Sequence, residues 1–306
     1  LFIADSSPLL LYHAFYDGAN KPSELLNKIK DMVDKKQIFV AAQGESVNAL
    51  VGGSRNATIL SGEGVQVLAD NPIVYANGFD ACRLGVDCIS VVNSRELSYI
   101  QSGVLGLFPW GTIDTEVARY GKQPRLIKTG VESASSIIFG LDSNSYATVS
   151  RLDTQSDDMQ LQVFGEGGMW IGDLRQSNDS LAIASQFGPF DSYFLTHEDS
   201  INIRNGIINI DLAAWKQAVN TTTTGPIVNS STPFSRSNYH KLGQMQCNTG
   251  AASAGGTSDI DNQSYELTLN ASGASNMRKG VLVKGGKRMG VCSFARISTQ
   301  ILPKIL

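Results

Sequence analysis

The chain has 306 residues, of which 42% are hydrophobic and 17% charged, with a formal net charge of −3. That length fits one large β domain or two ordinary domains, and the charged share lies below the roughly 25% usual for globular proteins. Solubility then falls to Ser, Thr, Asn, Gln and Gly, a texture shared by secreted proteins and virus particles; the scattered basic residues argue against a nucleic-acid-binding stripe, and no apolar run approaches the roughly 20 residues that span a bilayer.

The opening LFIADSSPLLLYHAFY is interrupted by Asp5 and Pro8 and lacks the basic start of a signal peptide. The next segment, PSELLNKIKDMVDKK, predicts an amphipathic helix over 23–35. Ser23 is its N-cap, and Leu25, Leu26, Ile29, Met32 and Val33 form the packed stripe. Two short helices are expected further on. One spans 93–103, with Asn93 and Glu96 as a capping pair and Gly103 as the stop; the other spans 211–219, with Leu212, Trp215 and Val219 on one stripe.

Most of the remainder reads as short strands. They include 37–42, 65–69, 72–76, 88–92, 104–108, 125–128, 136–141, 146–152, 159–165, 193–196, 201–203, 206–211, 265–270, 280–285 and 290–297. Met159, Leu161 and Val163 alternate cleanly, as do Tyr265, Leu267 and Leu269, which marks strands with one buried face. The spacing implies a mainly β fold, sandwich- or barrel-like, with many short antiparallel strands, one N-terminal helix and one or two short helices. A composition shift near 220–230 suggests a β-rich main domain over 1–220 and a β-rich C-terminal region over 221–306; a single domain with long polar loops is the alternative. The stretch 220–256 holds few apolar anchors, so ordering by a neighbouring chain is expected there. The basic cluster RKGVLVKGGKR, 278–288, reads as a solvated strand–turn–strand.

Four cysteines, Cys82, Cys88, Cys247 and Cys292, are candidates for disulfides. Cys82 with Cys88 closes a small loop, and Cys247 with Cys292 forms the other pair in that arrangement. Three pairings remain open to sequence, as do four buried thiols. The spacing matches no zinc motif, and no metal or other cofactor is expected. Of the histidines, His197 lies beside Glu198 and Asp199, but no G-x-S-x-G elbow accompanies it, and neither dinucleotide nor phosphate-loop glycine patterns occur. Adjacent carboxylates, Asp157 with Asp158 and Glu198 with Asp199, point to opposite faces on a strand and are weak candidates for a glycosidase pair, as are Asp259 and Asp261. The loop carrying those last two also offers oxygens to calcium without the EF-hand pattern. Aromatic clusters at 108–111 and 187–194 read as core plugs at strand ends, with sugar-binding platforms as the alternative. Sequons at Asn56, Asn178, Asn220, Asn229, Asn262 and Asn270 hint at a glycosylated chain.

In its many short β segments, uncharged polar loops, scarce histidine and early amphipathic helix, the chain resembles virion structural proteins of tailed bacteriophages, such as fibre, spike or capsid components. The resemblance is of texture and carries no site residues. It implies a non-enzymatic subunit, in a virion or extracellular setting, that self-associates into a symmetric oligomer alongside other virion or appendage proteins, with a host-surface glycan as a further partner. The alternatives are a secreted or particle-borne glycan-active enzyme and a pilus or cell-surface adhesin.

Overall fold

The computed structural model describes the chain outside 54, 83–87, 153–157, 176–185, 222–227, 261–262, 273–274 and 305–306. It is mainly β, with 42% of residues in strands and 24% helical, and among the described residues the sheets close no barrel. Two compact units divide it: Leu1–Thr115 with Arg125–Ile138, and Glu116–Pro124 with Phe139–Leu306. The expected boundary near 220–230 falls inside the second unit.

The first unit is built around short helices. Ser7 caps the helix Pro8–Phe15, its hydroxyl accepting from the Leu9 amide with Pro8 at the first turn. Leu9 and Tyr12 point into a core shared with Leu26, Leu60, Ile100 and Val104. Ser23 caps the helix Glu24–Asp34 by accepting from Leu26 N at 3.2 Å. That helix buries only Leu26 and Ile29; Leu25 is 60% exposed, which corrects the five-residue stripe.

A three-stranded sheet follows, with Ser98–Ile100 between Thr58–Ser61 and Ile73–Tyr75. The helix expected over 93–103 does not form. Leu97, Tyr99 and Ile100 are buried and Ser98–Ile100 is the central strand, paired on both edges, and that tertiary demand overrides the capping pattern. The converse holds at 88–92, expected as a strand and found as the helix Cys88–Val92, and at 125–128, which lies within the helix Gln123–Glu132. Arg125 on that helix is drawn inward by Asp114, to which it donates from Nε at 2.7 Å and Nη2 at 2.8 Å.

The second unit is organised by the strand Lys287–Lys304. Its first half pairs with Asn276–Lys284, its middle with Phe187–Leu195 and its end with Gln263–Asn270. The sheet continues through Ser253–Ile260 to Val228–Ser230 on one side, and through Met169–Asp173 on the other. A separate antiparallel sheet runs in the order Ile207–Asp211, Ser200–Arg204, Met159–Gly165, Ser145–Arg151. Both strands with clean sequence alternation bury the expected residues: Met159, Leu161, Val163, and Tyr265, Leu267, Leu269.

The segment 220–256 is corrected by the helix Asn238–Thr249 and the strands flanking it. Phe234, Tyr239, Leu242 and Cys247 are buried within the unit itself. Gln244 bonds the backbone of Cys292 in both directions, Nε2 to the carbonyl at 2.6 Å and Oε1 from the amide at 3.1 Å. Its own core therefore holds the described part of this segment. The helix ends at Gly250, whose φ of 69° supplies the left-handed stop.

Candidate functional site

In the second unit, the turn Thr196–Asp199 links Phe187–Leu195 of the larger sheet to Ser200–Arg204 of the smaller one. Glu198 adopts φ 65°, and this left-handed step sends two neighbouring carboxylates apart. The Glu198 side chain is 48% exposed and that of Asp199 is 0% exposed. This separation makes two distinct environments from one turn.

Outside, an aromatic and acidic band forms. Trp215 Nε1 donates to Glu198 Oε2 at 2.9 Å, and His197 Nε2 lies 3.6 Å from Glu198 Oε1. The Gly165 amide donates to His197 Nδ1 at 3.3 Å. The rings of His197 and Phe164 are 5.8 Å apart, and Phe164 stacks on Tyr146 at 5.2 Å. Tyr146 and Trp215 remain exposed.

Inside, Lys216 Nζ lies 2.6 Å from Asp199 Oδ1, with neither side chain exposed. Nζ also donates to Thr196 Oγ1 at 2.8 Å and to Ser293 Oγ at 3.1 Å. Asp199 Oδ2 accepts from the Thr196 amide at 2.8 Å and from Ser293 Oγ at 2.5 Å, while Oδ1 accepts from the Ala213 amide at 2.8 Å. Burial pushes the Lys216 ammonium below its ordinary value, against the pull of Asp199. These contacts also explain why the expected helix over 211–219 is absent. Asp211 ends a strand, Lys216 must point inward to Asp199, and Trp215 must point outward to Glu198.

Beside the band stands a hairpin arm. The basic cluster read as strand–turn–strand is one: Asn276–Lys284 pairs with Lys287–Lys304, with Lys284 opposite Lys287. Gly285 and Gly286 turn at φ 54° and 79°, both in the left-handed range that a two-residue hairpin loop favours. From Lys279 to Gly290 no residue is buried, although the arm carries Val281, Leu282, Val283 and Met289. Val281 is 47% and Val283 63% exposed. Lys284 reaches Glu166 at 3.3 Å.

The other sequence candidates are distributed as follows. Cys82 pairs with Cys88 and Cys247 with Cys292. His13 Nε2 lies 3.2 Å from Cys82 Sγ, and these two residues with Cys88 are a cluster of metal-ligand type, but the sulfurs are bonded to each other. His240 Nδ1 is 3.3 Å from Asp142 Oδ2. Phe108, Phe187, Phe190, Tyr193 and Phe194 are core residues, so the exposed aromatics lie elsewhere. Asp259 accepts from Ser264 at 2.6 Å. Asp157, Asp261, Asn178 and Asn262 lie outside the described residues. Asn56 is buried and donates to the Pro109 carbonyl, whereas Asn220, Asn229 and Asn270 are exposed. Sequence reading missed Lys216 and Ser293, which lie 77 positions apart and share no local pattern.

No model of a known protein family matches the chain. Among the described residues, no helix is long and apolar enough to cross a membrane.

Proposed function

We propose that this chain is a non-enzymatic structural subunit of a virus particle or surface appendage, assembling into a symmetric oligomer. The arm from Lys279 to Gly290 carries the reading. It places apolar Val281 and Val283 in solvent, in a strand whose outer edge, among the described residues, is paired at Met277, Arg278 and Lys279 and at no residue further out on the arm. An unpaired apolar edge invites strand addition by another chain. The occupant in this reading is a second copy, because among the described residues Ile207–Asp211 and Ser145–Arg151 are the outer strands of the smaller sheet, with Ile207, Tyr146 and Val149 exposed. Asp211 on one of those edges complements the arm's Lys279, Lys284, Lys287 and Arg288 in charge. The two disulfides favour a virion or extracellular location. A sandwich-like second unit belongs to the same proposal, supported by the chain passing from one open sheet to the other through a four-residue turn, Thr196–Asp199.

Light scattering with size separation tests the assembly. The wild-type chain is expected as a discrete oligomer, and Val281→Glu with Val283→Glu as a folded monomer. A monomeric wild-type chain overturns the proposal, as does an oligomer unchanged by both substitutions.

A second reading, a particle-borne glycan-active protein, is favoured by the band of Tyr146, Phe164, His197, Glu198 and Trp215, in which Tyr146, Glu198 and Trp215 are exposed and Phe164 and His197 half-buried. Aromatic faces beside a carboxylate match the alternating apolar and hydroxyl surfaces of sugars. Falling viscosity of a polysaccharide solution on adding the protein would favour this reading over the first.

A further inference from the structure

We propose that Lys216 and Asp199 condense into an intramolecular isopeptide bond, a covalent cross-link inside the second unit. Three observations carry it. The reacting groups are adjacent, with Nζ 2.6 Å from Oδ1. Both side chains are sealed from solvent, at 0% exposure each. The Thr196 amide and the Ser293 hydroxyl both donate to the other carboxyl oxygen, Oδ2, at 2.8 and 2.5 Å.

The chemistry balances without any co-reactant. One proton passes from the Lys216 ammonium to Asp199 Oδ1, leaving a neutral amine and a neutral acid. Nζ then adds to Cγ, forming the C–N bond and placing negative charge on Oδ2. A second nitrogen proton moves to Oδ1, the Cγ–Oδ1 bond breaks, and one water leaves. Oδ2 becomes the amide carbonyl and keeps its two donors.

Each feature of the site favours this step. Holding amine and acid in contact replaces a bimolecular encounter; well-oriented intramolecular reactions reach effective molarities of about 10⁵–10⁸ M. The Thr196 N–H and Ser293 O–H are aimed at the oxygen where charge develops, as in an oxyanion hole. Thermodynamically, ions in a buried pair give up their hydration. Condensation discharges both, so the site that penalises the ion pair favours the neutral amide. In water the same groups stay ionised and apart. The lowered proton affinity of Lys216 agrees with this.

Mass spectrometry of the denatured, reduced and alkylated chain tests it. The wild-type chain is expected to be lighter than its sequence by one water, and its digest to contain a branched peptide joining the Asp199 and Lys216 segments. Lys216→Arg keeps a cation for Asp199 but cannot condense in this way, and is expected at full sequence mass. Ser293→Ala is expected to convert more slowly, with the unconverted mass detectable after the wild type has finished. A wild-type chain at full sequence mass, with linear peptides covering both residues, overturns the inference without reference to any variant. So does a water deficit that persists in Lys216→Arg.

Discussion

Gly280 lies directly beneath the indole of Trp215: a methyl carbon built on Gly280 would fall 2.3 Å from Trp215 Cζ3. No side chain larger than hydrogen fits while the ring stays in place. This contact sets the base of the hairpin arm against the turn that carries Glu198, because the same indole donates to Glu198 at 2.9 Å. The flexibility that glycine usually confers is not what this position uses; close approach is.

Gly280→Val is therefore expected to push Trp215 off the strand and break its hydrogen bond to Glu198. Tryptophan fluorescence should shift to longer wavelength as the ring, already 40% exposed, meets more water. Chemical denaturation should show a loss of about 1–3 kcal/mol, the usual cost of overpacking a filled site. A Gly290→Ala control should leave both measurements unchanged, since nothing lies within 4 Å of a carbon added there.

On the helix Glu24–Asp34, two adjacent leucines are expected to behave oppositely. Leu26 is fully buried and Leu25 is 60% exposed. Leu26→Ala should cost about 2–5 kcal/mol, while Leu25→Ala should stay within about 0.5 kcal/mol of wild type. Urea denaturation of the two variants reads the difference.

The same pair shows what sequence could and could not convey. Helical spacing located the helix and its Ser23 cap, because both depend on residues within one or two turns. It could not narrow the buried stripe to Leu26 and Ile29, since that depends on what the rest of the chain lays against them. Strands with one wet face, such as Met159–Gly165, were legible from alternation. The helix Gln123–Glu132 was not, because Arg125 in its first turn is a polar residue drawn inward by Asp114. The buried Lys216 site was invisible for a related reason. Its members come from a turn, a short crossing segment and the longest strand, and only the folded unit brings them together.

Asp191 and Asp173 face one another across neighbouring strands. Burial, then the Asp173 charge, hold the Asp191 carboxyl above its ordinary value, although Arg296 opposes this and Arg175 is bonded to Asp173. A carboxyl whose folded value is raised binds its proton more tightly in the folded state. It therefore favours folding when protonated, and that advantage is lost as pH rises from the ordinary carboxylate value through the raised one. At neutral pH the ionised group opposes folding. Asp191→Asn is expected to raise Tm at pH 7 by about 1–2 °C, modest because solvent partly screens the site. The gain should shrink as pH falls through the raised value to the ordinary carboxylate value, a trend that scanning calorimetry across pH can follow.

The two disulfides should contribute unequally. A cross-link acts largely by restricting the unfolded chain, and the restriction grows with the loop it closes. Cys247–Cys292 closes a separation of 45 residues and Cys82–Cys88 one of 6. The chain-entropy relation gives about 4 kcal/mol for the first and about 2 kcal/mol for the second. Local structure widens the gap. Cys247 sits on the helix Asn238–Thr249 and Cys292 on the long strand, so this bond ties two separate elements together. Cys247 and Cys292 are both fully buried, so replacing them also leaves space in the core. Cys247→Ala with Cys292→Ala is thus expected to lower the guanidinium midpoint clearly more than Cys82→Ala with Cys88→Ala. Equal midpoints for the two double variants would contradict the loop-length argument.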